Sequence, residues 1–239
     1  MKTAFASDFD NTLYFKDGFH QEDLTEIKKK QKEGVLFGVC TGRSLQGVLL
    51  STKGKISYDF YIVSTGSLIL DKDKNILHSK PIPKEAIEKI NNLYSSKYNI
   101  AYNSGYDFYS LHEDYEIMRH ITDLNELPET LYGLSFLSDS ITSAMEICRY
   151  LNKNISVSAY NNGPFVDITS RNSSKGKVLK EFKNICHLDR IACMGDSYND
   201  IPMLKEADIS FTFPSSPEEA KNTVTEIKPS ICEALKSIY

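Results

Sequence analysis

Residues 4–15 read AFASDFDNTLYF. A short apolar run ends on Ser7, and two carboxylates, Asp8 and Asp10, follow two residues apart. Asp is depleted in strands, and like charges this close repel. Two explanations stand at this point. The aspartates cap the start of a helix, or a cation sits between them. A cap needs one such residue, and Asn11-Thr12 already supplies it. The remainder of the chain decides between the two.

Working outward, short apolar runs alternate with helical stretches, the pattern of βα units around a parallel sheet. Strands are expected at Thr3 to Ser7, Val35 to Cys40, Phe60 to Val63, Arg190 to Met194 and in ADISFTF. Helices are expected over Gln21 to Glu33 with Gly34 closing it, Ser44 to Lys53, Ser174 to Lys183 and Ser197 to Lys205, with two short ones near Pro217 and Ser230. LILDKDKNILH reads as a hairpin. The prolines of KPIPKEAIEKI mark a boundary near Lys80. Beyond it lie a helix from Lys84 to Lys97, strand-like NIAYN, DFYSLH, LYGLSFLS, ISVSAY and FVDITS, and a helix from Ile141 to Leu151. The expected organisation is an α/β Rossmann-like core (residues 1–80 and 172–239) with an α/β insert (residues 81–171).

What ends each core strand matters most. The first ends at Asp8, the second at Thr41, the third at Ser64 and the fourth at Gly195-Asp196. In a parallel α/β sheet the carboxyl ends share one edge, where ligands bind. Strands must end in something polar, but that accounts for one or two such residues and not for Asp8, Asp10 and Asp196 together. Gathering carboxylates is costly without a cation, and Mg²⁺, a hard oxygen-seeking ion, resolves the conflict. Lys175, in NSSKGKVL, stands at a helix start, where a cation opposes the dipole. Its placement makes sense if an anion lies between it and the acidic cluster. The backbone after Thr41, in TGRS, can also donate to phosphate.

Composition narrows the classes further. The chain has 239 residues, a net charge of −4 and 41% hydrophobic residues, which argues for a soluble globular protein and against a nucleic-acid partner. The one basic run, Lys28 to Lys32, sits in a helix-like stretch and reads as a solvated face. Five scattered cysteines without a CxxC fit reduced thiols, and no apolar run or leader profile points to a membrane or to export. The expected location is the cytoplasm. The sequence is silent on oligomeric state.

DFDNT, CTGRS, SSKG and GDSYND, in that order, resemble the four motifs of the haloacid dehalogenase-like superfamily. Each motif is short, but all four in order at strand ends or helix starts make a specific pattern. The insert between the second and third resembles, in position and pattern, the cap of the Cof-type (class IIB) phosphatases. The chain departs from that pattern at Asn11, where Gly is common, at STGS, where Asn-Gly is common, and at TFPSSPEEAKN, which replaces a Met-Gly-Asn-Ala stretch.

The resemblance implies a Mg²⁺-dependent phosphatase acting on small phosphorylated metabolites such as sugar phosphates. Asp8 is then the nucleophile and Asp10 the acid and base. Asp8, the Asp10 carbonyl, Asp196 and Asp200 make up the metal site. Thr41, Gly42, Arg43, Lys175 and Asn199 face the phosphate and substrate. YNSGYDFY, HEDYEIMRH and AYNNG are candidate substrate loops of the insert. Two alternatives remain at this stage: a phosphomutase using the same two aspartates, and a non-catalytic binding or regulatory protein on the same scaffold.

Overall fold

The computed structural model describes residues 1–112 and 118–238. In chain order the core elements are β1 (Thr3–Ser7), α1 (Gln21–Lys32), β2 (Leu36–Cys40), α2 (Leu45–Thr52), β3 (Phe60–Val63), β4 (Leu68–Asp71) and β5 (Ile76–Ser79). The insert supplies α3 (Lys84–Tyr94), β6 (Ala101–Asn103), β7 (Phe108–Ser110), β8 (Arg119–His120), β9 (Gly133–Leu137), α4 (Ile141–Asn154), β10 (Val157–Asn162) and β11 (Phe165–Ser170). The chain then returns through α5 (Lys175–Ile185), β12 (Arg190–Met194), α6 (Ile201–Glu206), β13 (Ile209–Thr212), α7 (Glu218–Lys221), β14 (Glu226–Ile227) and α8 (Ile231–Ser237).

Among the described residues, two sheets form. The larger has the order β14-β13-β12-β1-β2-β3-β4-β5, parallel from β14 to β3 and closed by the antiparallel β4–β5 hairpin. Its central strand is buried on both faces, as a parallel strand under two helical layers must be. Phe5 enters one core with Phe37, Phe211 and Leu235, while Ala4 and Ala6 enter the other with Leu179 and Phe182. The period of two in β1 therefore divides the interior into two layers.

The smaller sheet has the order β10-β11-β9-β6-β7-β8. One face packs under α3 and α4 through Tyr102, Leu134, Phe136, Val166 and Ile168. The opposite face meets the core. There the backbone amides of Leu45 and Gln46, at the start of α2, donate to the carbonyls of Gly105 and Tyr106 at 2.7 and 2.8 Å. Ser64 Oγ also donates to Asn103 Oδ1 at 3.1 Å.

Several boundaries differ from expectation. The helix from Lys84 stops at Tyr94, where Ser95 and Ser96 compete with the helical ladder. The stretch from Ser197 to Lys205 is a 3₁₀ turn, Tyr198–Asp200, followed by α6. Asp200 Oδ2 accepts the amides of Asp196 and Ser197 and tightens that turn, and Pro202 begins the α-helix proper. The two-residue strands β8 and β14 carry too little periodicity to be read locally. Lys28, Lys29 and Lys32 are exposed on α1, as a solvated face requires. No described helix is long and apolar enough to cross a membrane.

Candidate active site

Asp8 stands where β1 leaves the sheet. Its amide donates to the Met194 carbonyl at 2.9 Å, which fixes the end of β1 against the end of β12. Thr12, fully buried one turn later, puts its hydroxyl 3.3 Å from Asp8 Oδ2 and 3.1 Å from Asp196 Oδ1. Asn11 makes this turn with φ 58°, a left-handed conformation that Asn tolerates better than most residues.

Lys175 reaches the same point from the start of α5. Its ammonium lies 2.6 Å from Asp8 Oδ1 and 2.6 Å from Asp200 Oδ1, and its side chain is 2% exposed. Gly176 permits this approach, because a Cβ there would overlap the Pro202 carbonyl of α6. Gly195 permits the next, since a Cβ would sit 2.6 Å from the Asp200 side chain. The Thr212 hydroxyl, at the end of β13, donates to the Gly195 carbonyl at 2.7 Å and braces this loop.

Three carboxylates, Asp8, Asp196 and Asp200, thus present oxygens within 4.8 Å of one another. Burial pushes the Asp8 carboxyl up to about 7, with the Asp200 charge adding to it and Lys175 opposing it. Burial and Asp200 likewise raise Asp196. Burial alone would lower the Lys175 ammonium, but Asp200 and Asp8 together hold it well above its ordinary value. One ammonium does not neutralise three carboxylates, and Asp196 contacts no cation among the described residues. An oxygen-only donor set with excess negative charge fits a hard divalent ion and suits no soft one.

Asp10 faces the other way. Both its oxygens accept from Arg43, Oδ1 from Nη2 at 2.7 Å and Oδ2 from Nε at 2.9 Å. Arg43 also donates to Ser51 Oγ and the Gly47 carbonyl, and its guanidinium lies 4.8 Å from the centre of the Phe9 ring. The fork and the ring contact leave this arginine one orientation. Thr41 is buried and accepts the Arg43 amide at 3.2 Å.

A cleft of about 440 Å³ joins these groups. It is lined on the core side by Asp8, Asp10, Thr41, Gly42, Arg43, Lys175, Asp196 and Asn199, so eight of the nine sequence-derived residues share it. Asp200 lies beneath, fully buried and committed to Lys175 and two amides.

The family model for haloacid dehalogenase-like hydrolases matches residues 5–234. The chain belongs to the haloacid dehalogenase-like hydrolases. It is 25% identical over 249 residues to 5-amino-6-(5-phospho-D-ribitylamino)uracil phosphatase YcsE of Bacillus subtilis, covering 97% of this chain and 93% of that one. A haloacid dehalogenase-like hydrolase from Bacteroides thetaiotaomicron superposes with a TM-score of 0.88 at 15% identity, over 100% of both chains. A subclass IIB sugar phosphatase of the superfamily superposes at 0.82 and 16% identity over 98% of both. At such identities the superpositions bear on fold alone, and they extend through the insert.

The hydrolase also carries cleft residues that motif reading misses. Thr65 lines the cleft with φ 55° and ψ 33°, between Ser64 at φ 53° and Gly66 at φ 86°. A β-branched residue in the left-handed region is held there against its preference. The amides of Ser64 and Thr65 donate to the Arg43 and Thr41 carbonyls, so the two loops are zipped together. From the insert come Phe108, Asn162 and Asp167. Phe108 and Asn162 fall in YNSGYDFY and AYNNG, two of the expected substrate loops, whereas Asp167 sits in FVDITS, read only as a strand. Residues 113–117, within HEDYEIMRH, lie outside the described residues.

Proposed function

We propose that this hydrolase is a Mg²⁺-dependent phosphatase that cleaves small phosphate monoesters through a phosphorylated Asp8. The phosphoric-monoester hydrolase class is supported by the family and by the names of its relatives. The observation that carries the mechanism is the buried centre of Asp8, Asp196, Asp200 and Lys175 at the floor of the cleft. Asp8 and Asp196 would hold the ion directly, with the Asp10 carbonyl. Asp200, whose oxygens are already engaged, would orient Lys175 and the loop that carries Asp196. Bound there, Mg²⁺ supplies positive charge that lets a carboxylate approach a phosphate dianion.

The chain's own residues do the rest. Lys175 donates charge toward the phosphoryl oxygens, and the Thr41 hydroxyl and Gly42 amide supply neutral donors. Asp8 attacks phosphorus, forming an acyl-phosphate bond as the ester P–O bond breaks. Asp10 gives its proton to the leaving oxygen, then takes one from the water that attacks phosphorus and frees Asp8. An anionic substrate competes with Asp10 for the Arg43 guanidinium, which frees the Asp10 oxygens to face the leaving group. Residues 81–171 act as a cap that closes the cleft and selects the leaving group.

The test is phosphate release from p-nitrophenyl phosphate and from sugar phosphates by the purified protein. Release that requires Mg²⁺ and stops with chelator is expected. Full activity in excess chelator overturns the metal assignment. Isomerised hexose phosphate without free phosphate would instead mark a mutase.

A further inference from the structure

The face of the smaller sheet that looks into the cleft can be read row by row from its pairing. Asp167 of β11 stands opposite Ser135 of β9, which stands opposite Ala101 of β6. In the next row Thr169 faces Gly133, and Gly133 faces Asn103. Ser135 on the β9 side, with Thr169 and Gly133 in the next row, leaves that side of Asp167 open, while Tyr160 of β10 bounds the other. Its Oδ1 accepts the Ser135 hydroxyl at 2.6 Å, while Oδ2 accepts no hydrogen bond among the described residues. Burial raises its pKa, the signature of a carboxylate short of donors. A recess of about 40 Å³, sharing Gly42, Thr65, Phe108 and Asp167 with the main cleft, continues toward Asn103 and Gly133. It has room for a hydroxyl-bearing carbon and none for a ring.

We infer that Asp167, with Ser135 and Asn162, forms a leaving-group subsite that reads the hydroxyls of a polyol or open-chain sugar. The inference rests on the phosphatase reading above and specifies its substrate class. A carboxylate oxygen without a donor accepts a hydroxyl proton directly. The Asn162 amide and the Thr65 hydroxyl can both donate and accept, and the Ser135 oxygen, whose proton goes to Asp167, can still accept, which matches alcohol groups better than an ammonium, a donor alone. The subsite also rejects anions. Arg43 and Lys175 are the cations lining the cleft among the described residues, and both lie on the core side, paired with Asp10, Asp8 and Asp200. A second phosphate on the leaving group would face Asp167 with no cation beside it.

The test compares kcat/KM for ribitol phosphate with that for p-nitrophenyl phosphate, in wild type, Asp167→Asn and the smaller change Ser135→Ala. The alditol-to-nitrophenyl ratio should fall about 10- to 100-fold in Asp167→Asn, the worth of a hydrogen bond to a charged group, and by less in Ser135→Ala. The wild type should discriminate against the matching bisphosphate, and Asp167→Asn should relax that discrimination. Unchanged ratios in both variants, with melting temperatures showing folded protein, overturn the subsite while leaving the phosphatase reading intact. A wild-type preference for the aminodeoxy phosphate, lost in Asp167→Asn, overturns the polyol assignment. Absence of phosphate release from every ester, p-nitrophenyl phosphate included, removes the phosphatase reading and the subsite with it.

Discussion

Burying an ammonium against two carboxylates is tolerable only while each charge keeps its partner. Lys175→Met strips Asp8 and Asp200 of their shared cation, so it should destabilise the protein by about 3–5 kcal/mol and abolish turnover. Added Mg²⁺ should recover part of the stability and none of the rate. A melting temperature equal to wild type in chelator would show that Lys175 does not neutralise the pair. Asp10 is a different case, because its carboxylate meets Arg43 and not the cluster. Asp10→Asn keeps the backbone carbonyl and should cost ~10²–10⁴ in rate on a sugar phosphate. With p-nitrophenyl phosphate, whose leaving group needs little protonation, a burst of nitrophenol and a phosphate adduct on the Asp8 peptide should appear. Equal losses on both substrates without a burst would remove Asp10 from proton transfer. The neighbourhood of Asp8 and Asp10 is legible in AFASDFDNT; the divergence of their carboxylates is not. It depends on Arg43, brought in from the end of another strand.

Helices α5 and α6 touch through Gly176, and that contact sets where Lys175 meets Asp200. Gly176→Ala must push the helices apart, at about 1–3 kcal/mol for overpacking, and should weaken activity more than a surface change of that cost elsewhere. Activity and stability like wild type would mean that the interface yields without moving Lys175. Helices α1 and α8 are joined by Asp23, whose buried carboxylate accepts the Cys232 amide at 2.6 Å. Burial raises Asp23 above its ordinary value, ahead of the opposing hydrogen bond from Cys232. A raised carboxylate pKa means that the folded state binds this proton more tightly than the unfolded chain. The contribution therefore favours folding in acid and is lost as pH climbs through the carboxylate range. Asp23→Asn keeps an acceptor and carries no charge. Its melting temperature relative to wild type should rise as pH climbs through and above the ordinary carboxylate range, where the unfolded chain's aspartate ionises before the buried one. A difference that is flat or falls with pH would show that the charge at Asp23 is favourable in the fold. SSKG marks the start of α5 in the sequence, but the reason for its glycine lies in α6, about 25 residues further on.

The groups proposed to hold Mg²⁺ lie near both ends of the chain, at Asp8 and at Asp196, so the ion would tie β1 to the loop after β12. At ~100 times its dissociation constant, binding would add about 2.7 kcal/mol. In a protein of this length that is roughly 5–10 °C in melting temperature, given ~2–4 °C per kcal/mol. Asp196→Asn should lose most of this increment, and a Mg²⁺ response identical to wild type would remove Asp196 from the metal site. The convergence behind this prediction was readable in the order of the elements. Buried βα units place their strand ends on one edge, so DFDNT, CTGRS and GDSYND meet there as a consequence of handed, local geometry. The placement of Lys175 also followed, because a cation at a helix start is anomalous by itself. Other features had no local signal. Thr65 sits in a left-handed turn only because its amide and that of Ser64 are bound by the loop after β2. Asp167 reads as an ordinary strand residue until pairing sets it beside Ser135, 32 positions away, on the face that lines the cleft. Residue types and the periods of strands and helices act within a few positions, and they fixed which elements form and which ends are polar. Register, helix contacts and the partners of each carboxylate join residues from tens to 209 positions apart, and only the packed chain brings those together.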